Sequence, residues 1–252
     1  MTRTAGSLAP SRIPIVSQTD DAELIERRRA QLVAAAAQCF GANGYHRTTI
    51  KEIAEVAGFS PGLVYTYVKE KEDVLFLVIV SLLETYAREI PSTLEGVSDP
   101  LNRFRAAVEA YCHAVGRNVD ATVLAYRETK SLSPARQKVL MQLELNTNGM
   151  ISDCLQACIE AGYFRPVNLD LVTYRIVLLA HGWALKAWHF KRTTTLEEYI
   201  REGLDLFLHG LLTKKGWQHW QKLVAAPAPR NATPRREKKP PRSRPAKGTS
   251  TR

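Results

Sequence analysis

From Ala22 to Leu212 the apolar residues recur at three- and four-residue steps, and no stretch alternates with period two for long enough to make a strand. That pattern restricts the chain to an all-α fold. Leu24, Leu32, Ala35, Ala36, Cys39 and Phe40 form the first stripe, which the Gly41–Gly44 stretch ends. Further helices are predicted over Ile50–Ala57, Pro61–Val68, Lys71–Ile90, Pro100–Val119, Ala121–Ser131, Pro134–Ala161, Leu169–Phe190 and Leu196–Leu212. Their starts are marked. Asp99-Pro100 and Ser133-Pro134 pair a capping residue with a proline at the first helical position, where a missing N–H costs nothing. Thr49 with Glu52, and Thr195 with Glu198, have the spacing of a capping box. Gly162 and Pro166 close the long helix before them.

With 45% hydrophobic and 24% charged residues, the chain of 252 residues suits one or two soluble globular domains. The apolar run from Val74 through Leu83 is about half the ~20 residues a membrane-spanning helix needs, so no membrane partner is expected. The start, with Pro10 and Pro14 and no apolar core, does not read as a signal peptide, which makes the cytoplasm the expected location. Four segments are expected: a disordered arm over 1–20, a compact unit over 21–75, a larger helical unit over 76–222 and a disordered basic tail over 223–252. The net charge of +10 is unevenly placed. Residues 221–252 hold ten basic residues against Glu237, a net +9, leaving +1 for the rest. The high isoelectric point therefore belongs to a tail and does not by itself argue for nucleic acid. Cys39, Cys112, Cys154 and Cys158 form no C-x-x-C pair and read as buried small hydrophobes. No metal site or cofactor is expected.

Residues 24–75 carry the strongest functional signal. Thr49 caps a short helix whose stripe is Ile50, Ile53, Ala54 and Ala57, and Gly58 ends it where a positive φ is wanted. Ser60 caps the next helix, Pro61 takes its first position, and Phe59 and Val64 form a hydrophobic staple. A helix of about eight residues, a turn, and a helix of about seven make a helix-turn-helix. In that geometry the second helix enters the major groove of DNA, with Ser60, Gly62, Tyr65, Thr66 and Tyr67 outward and Leu63, Val64 and Val68 inward. Tyrosine suits the place, since its ring packs on thymine methyls while its hydroxyl reaches a phosphate or base edge. Lys71 adds a cation beside helix N-terminal N–H groups that already favour phosphate. The charge of residues 24–75 is only +1, so phosphate contacts are expected to be few. Within the same stretch Gly58-Phe59-Ser60-Pro61-Gly62 spells G-x-S-x-G. A nucleophile elbow needs a strand before its serine, whereas a helix precedes Ser60, so no enzyme is expected.

The run AAAAQCFGANGYHRTTIKEIAEVAGFSPGLVYTYVKEKEDVL resembles the DNA-binding domain of the tetracycline-repressor (TetR) family of bacterial transcription regulators. The likeness rests on Phe40, Gly44-Tyr45, Thr48-Thr49-Ile50, Ile53-Ala54, Ala57-Gly58, Ser60, Gly62, Tyr65, Tyr67 and Lys71-Glu72, with Val68 where the family more often has phenylalanine. It implies a homodimer, most often a repressor, whose two recognition helices enter successive major grooves of a pseudo-palindromic operator. The DNA contacts would fall on Thr48, Thr49, Ser60, Pro61, Gly62, Tyr65, Thr66, Tyr67 and Lys71.

The last helices carry apolar residues nearly all round. One face of 169–190 has Leu169, Val172, Ile176, Leu179 and Trp183; the other has Leu171, Tyr174, Leu178, Leu185 and Trp188. With Ile200, Gly203, Leu204, Phe207 and Leu211 of the next helix, the first of these faces is expected to build a four-helix dimer interface, as the resemblance also implies. The helices over 100–161 are expected to enclose a small-molecule effector, with Tyr111, His113, Tyr126, Glu128 and Trp183 as candidate contacts. His181 and His189 stand singly on a long helix and read as neither metal ligands nor pH sensors. The segments around Leu124–Leu140 and Gly162–Phe190 resemble the C-terminal halves of TetR-type regulators of fatty-acid and steroid degradation. Their inducers are acyl-CoA thioesters, and Arg117, Arg127 or Lys130 would then meet the phosphates. Ligand entry would shift the helix joining the two units, Lys71–Ile90, and spoil the spacing of the recognition helices. The competing reading is a non-specific DNA binder driven by the basic tail.

Overall fold

A computed structural model of the chain describes Ile15, Ser17 and residues 21–225; the expected contents of the remaining arm and tail lie outside the described residues. The architecture is all-α, with no strand among the described residues and one isolated bridge, Phe164 to Leu212. The helices are α1 (Ala22–Asn43), α2 (Ile50–Ala57), α3 (Pro61–Tyr67), α4 (Lys71–Thr93), α5 (Pro100–Arg117), α6 (Val119–Glu128), α7 (Pro134–Glu160), α8 (Leu169–Leu185), α9 (Ala187–Thr193), α10 (Leu196–Leu211) and α11 (Lys214–Ala225). A 3-10 turn, Thr129–Ser131, links α6 to α7.

The caps explain the boundaries. Asp21, Ser60, Asp99 and Asn168 each accept the N–H three residues on, and Thr49 and Thr195 complete their boxes with Glu52 and Glu198. Each satisfies a donor that the helix itself leaves orphaned. The Gly41–Gly44 stretch ends α1 as expected, at Gly44, whose φ of 78° a side chain would resist. Other boundaries differ from the periodicity. α4 continues past Pro91 to Thr93. The expected single helix over 169–190 breaks at Lys186, which lets Phe190 of α9 fold back onto Trp183 of α8, with ring centroids 6.1 Å apart.

Two apolar clusters form the core. The first joins α1–α3 and the front of α4 through Leu32, Phe40, Ile53, Val64, Tyr67, Val74 and Phe76, and also takes in Leu124, Leu132 and Leu140. The second lies around Tyr86, Phe104, Tyr111, Ile151, Ile176 and Leu204. Packing therefore crosses the expected boundary at 75, and α4 belongs to both clusters. The expected disordered tail from 223 is also corrected at its start, because α11 extends to Ala225 and its Leu223 and Trp220 pack against the second cluster. Gly216 permits this docking: a Cβ there would lie 2.2 Å from the Tyr163 carbonyl oxygen.

Candidate functional site

The turn between α2 and α3 is built by three local devices. Thr49 Oγ1 accepts from the Glu52 N–H at 3.2 Å, while Glu52 Oε2 accepts from the Thr49 N–H at 2.6 Å and from the Thr49 hydroxyl at 2.8 Å, and the two bonds to the carboxylate hold it below the usual range. Gly58 turns left-handed at φ 70°, and the Phe59 N–H donates to Ala54 O at 2.8 Å. Ser60 Oγ then accepts from the Leu63 N–H at 3.2 Å, so this hydroxyl serves as the cap of α3. The outward surface of α3 comprises Pro61, Gly62 and Tyr65, the last 47% exposed, with Thr66 half-buried beside them. Thr49 and Ser60 are exposed at the helix starts on either side of the turn.

Three candidates have other employment. Tyr67 is buried at 3%, against the expectation that it faces outward with Tyr65. The reason is angular: residues two apart on an α-helix point about 200° away from one another, and Tyr67 shares a face with inward Val64. Thr48 is also buried, its hydroxyl donating to Gly44 O at 2.8 Å and Cys39 O at 3.3 Å. Lys71 Nζ donates to the carbonyls of Tyr45, His46 and Thr48 at 3.0, 3.2 and 3.0 Å and lies over the Tyr45 ring. It ties α4 to the turn before α2, leaving its charge half-buried among carbonyls.

The far end of α3 is held by residues that the periodicity did not single out. Arg29 of α1 donates to Tyr67 O at 3.1 and 3.0 Å and to Ile15 O at 2.7 Å, placing a cation at the negative end of α3. Ser17 Oγ donates to Thr66 O at 3.1 Å. Ile15 is itself buried, so two residues of the expected disordered arm are instead seated against the helix-turn-helix. An arginine facing a helix C-terminus was the only available signal.

α4 is joined to the rest by an ionic cluster. Asp73, buried at 2%, caps the helix by accepting from Lys69 and Glu70 N–H at 2.6 and 3.0 Å, and Arg136 of α7 bonds its other oxygen. The same guanidinium lies 2.9 Å from Glu72, whose carboxylate also accepts from Ser133 N–H at 2.9 Å. Nearby, His46 Nε2 is 3.2 Å from Glu128 Oε2 at the end of α6.

Of the five effector candidates, the structure brings two together. Tyr111 Oη is 2.8 Å from His181 Nε2, and Tyr126 Oη is 2.8 Å from His181 Nδ1. Burial drives the His181 imidazole down to about 4 and pushes Tyr111 well above the usual phenol value. Tyr86 packs edge-on against Tyr111, with its hydroxyl 2.8 Å from Thr122 Oγ1. His181 is therefore the hub that its isolation in sequence concealed. The other three candidates lie elsewhere. Glu128 faces His46, and Trp183 is buried against Phe190 and Tyr199. His113 lines a separate groove of about 460 Å³ with Arg105, Glu109, Leu204 and Trp220. Arg117, suggested for phosphate, pairs with Glu89.

The expected dimer face is also corrected. Val172, Ile176, Trp183, Ile200, Leu204 and Leu211 are each 7% exposed or less, Gly203 is buried against Leu179, and Leu169 and Phe207 pack on the same core. Both stripes of α8 are apolar, and the one chosen faces α5 and α10 of the same chain. The other is bare: Leu171 57%, Tyr174 37% and Leu178 56%, with Leu206 of α10 at 76%.

Comparison with known proteins agrees with this geometry. Residues 32–78 match the family model described as bacterial regulatory proteins, tetR family, and residues 97–211 match a tetracyclin repressor-like C-terminal domain. The HTH-type transcriptional regulator HbdR of Aromatoleum sp. (strain CIB) is 44% identical over 218 residues, which is 86% of this chain and 93% of that protein. The HTH-type transcriptional repressor KstR2 of Mycobacterium tuberculosis is 25% identical over 194 residues, 76% of this chain and 96% of that one. Among solved structures, the TetR family regulator PfmR from Thermus thermophilus superposes with a TM-score of 0.64 at 24% identity, covering 71% of this chain and 97% of that one. A helix-turn-helix with Tyr65 outward, followed by a helical C-terminal domain, thus belongs to a transcriptional regulator of the TetR family.

Proposed function

We propose that this regulator binds a pseudo-palindromic operator as a homodimer, acts as a repressor, and is released by a small hydrophobic or acyl-CoA-type ligand. The observation that carries the DNA reading is the exposed face of α3, Pro61, Gly62 and Tyr65, clamped at one end by the Ser60 cap and at the other by Arg29. A rigid short helix presenting small residues and one tyrosine fits a major groove, while Thr49 and the α2 N-terminus face the phosphates. Tyr67, Thr48 and Lys71 support this face from behind.

Two copies would join through Leu171, Tyr174 and Leu178 of α8 and Leu206 of α10, the apolar surface that the single chain leaves uncovered. Release requires a ligand that binds the non-DNA arrangement better. α4 is the natural carrier, since its front half packs with α1–α3, its rear half with the second cluster, and Arg136 and Glu128 tie α7 and α6 to the same corner. The ligand class is supported by the relatives' names, among them the ketosteroid regulator KstR2 and a fatty acid degradation regulator of Bacillus halodurans.

Selecting bound fragments from genomic DNA tests the proposal. A recovered inverted repeat, lost in Tyr65→Ala and competed poorly by random DNA, is the expected result; equal affinity for all fragments would replace it with tail-driven, sequence-independent binding.

A further inference from the structure

Polar groups gather inside the helical half where α6, α7 and α8 converge. α6 and α7 both pack on α8 but barely touch each other, so α8 floors the seam between them. His181 of α8 stands under this seam, bonded on one side to buried Tyr111 of α5 and on the other to Tyr126 of α6, which is 47% exposed. Glu144 of α7 acts electrostatically on both tyrosines, and Asn148, one turn further on, approaches Glu144. A buried acceptor here has no hydrogen-bond partner: Asn148 Oδ1, in a residue 4% exposed. A buried amide oxygen or hydroxyl without a partner is costly, and such groups persist where something else completes them.

The hydrogen-bond logic narrows what that is. Burial keeps His181 neutral, with its proton affinity reduced to about 4. A neutral imidazole has one N–H and one bare nitrogen, so one of the two tyrosine hydroxyls donates to it and the other accepts from it. The accepting hydroxyl keeps its own proton for a third group. The charged side chain acting on both tyrosines is an acid, so an incoming carboxylate would meet repulsion without a compensating cation. A neutral oxygen meets donors and acceptors instead. Rings pack around the imidazole: His181 stands edge-on to Tyr111 and Tyr126, and Tyr86 edge-on to Tyr111.

We infer that Tyr111, Tyr126, Glu144, Asn148 and His181 form the polar end of the effector site, which takes a neutral hydroxyl or carbonyl oxygen carried on a flat apolar ring system. Tyr126, half in solvent, is the wall that moves to admit it. This inference rests on the ligand-responsive reading above.

The test uses the full chain without DNA and three probes on one frame: 2-naphthol, naphthalene and 2-naphthoate, with binding followed by calorimetry. The wild type is expected to bind 2-naphthol about tenfold more tightly than either other probe, the ratio that one net hydrogen bond supplies. Tyr126→Phe and Asn148→Leu should each lose roughly that factor for 2-naphthol while leaving naphthalene unchanged. Tyr126→Phe removes one hydroxyl from a half-exposed side chain, so it remains informative if Asn148→Leu fails to fold. Equal affinities for naphthol and naphthalene, a preference for naphthoate, binding of none of the three, or an unaffected Tyr126→Phe would each overturn the assignment. Operator binding is measured separately on the wild type; its failure would remove the regulator reading and leave the probe result standing.

Discussion

Arg136, at the start of α7, bonds the carboxylate of Asp73 in the first turn of α4, immediately behind the recognition helix. Asp73 is buried and simultaneously caps α4, so one carboxylate fixes the α3–α4 corner and anchors the second helical unit to it.

Removing the arginine leaves that charge buried without its partner. Arg136→Ala is therefore expected to cost about 3 kcal/mol of stability. Urea unfolding gives the answer as a lowered midpoint. A midpoint equal to wild type would mean that Lys69 and Glu70 N–H satisfy Asp73 unaided.

Tyr65 and Tyr67 are two residues apart and do different work. Tyr65→Ala should reduce operator affinity at least tenfold and change stability by no more than about 0.5 kcal/mol, as exposed substitutions usually do. Tyr67→Ala empties a core position and should cost about 3 kcal/mol. Thermal melts beside mobility shifts separate the two; similar melts for both variants would contradict the inward placement of Tyr67.

On α8, Ile176 and Leu178 point in opposite directions. Leu178→Glu combined with Leu206→Glu should yield a folded monomer in sedimentation, because both side chains are exposed in the single chain. Ile176→Glu, at a position with no exposure, should instead unfold the protein. A double variant that sediments as wild type would move the interface elsewhere.

Because burial lowers the His181 pKa from 6.5 to about 4, the folded state binds fewer protons than the unfolded state between those values. Stability from this residue is complete above pH 6.5 and falls as the pH drops toward 4, by on the order of 3 kcal/mol in all. Glu144, whose pKa burial raises, works in the opposite direction. The difference between wild type and His181→Gln isolates the histidine: the variant should lose less stability between pH 7 and 5, and parallel curves would contradict the buried neutral imidazole.

Much was legible in the sequence because it is decided locally. The caps at Thr49, Ser60, Asp99 and Thr195, the left-handed Gly58, and the 3.6-residue periodicity each act within one or two turns of chain, so α2, α3, α5 and α10 begin where the residues say. The spacing of the helix-turn-helix belongs to the same local order. What the tertiary structure alone decided is which of two eligible surfaces faces inward. α8 carries apolar residues on both sides, and only packing against α5 and α10 chose Ile176 for the core and left Leu178 bare. The same holds for polar groups. His181 gains its meaning from Tyr111, 70 residues away, and from Tyr126, 55 away, and Lys71 gains its own from three carbonyls of a distant turn. Hydrogen bonds and desolvation depend on distance in space, and no local pattern records which distant helices will be brought together.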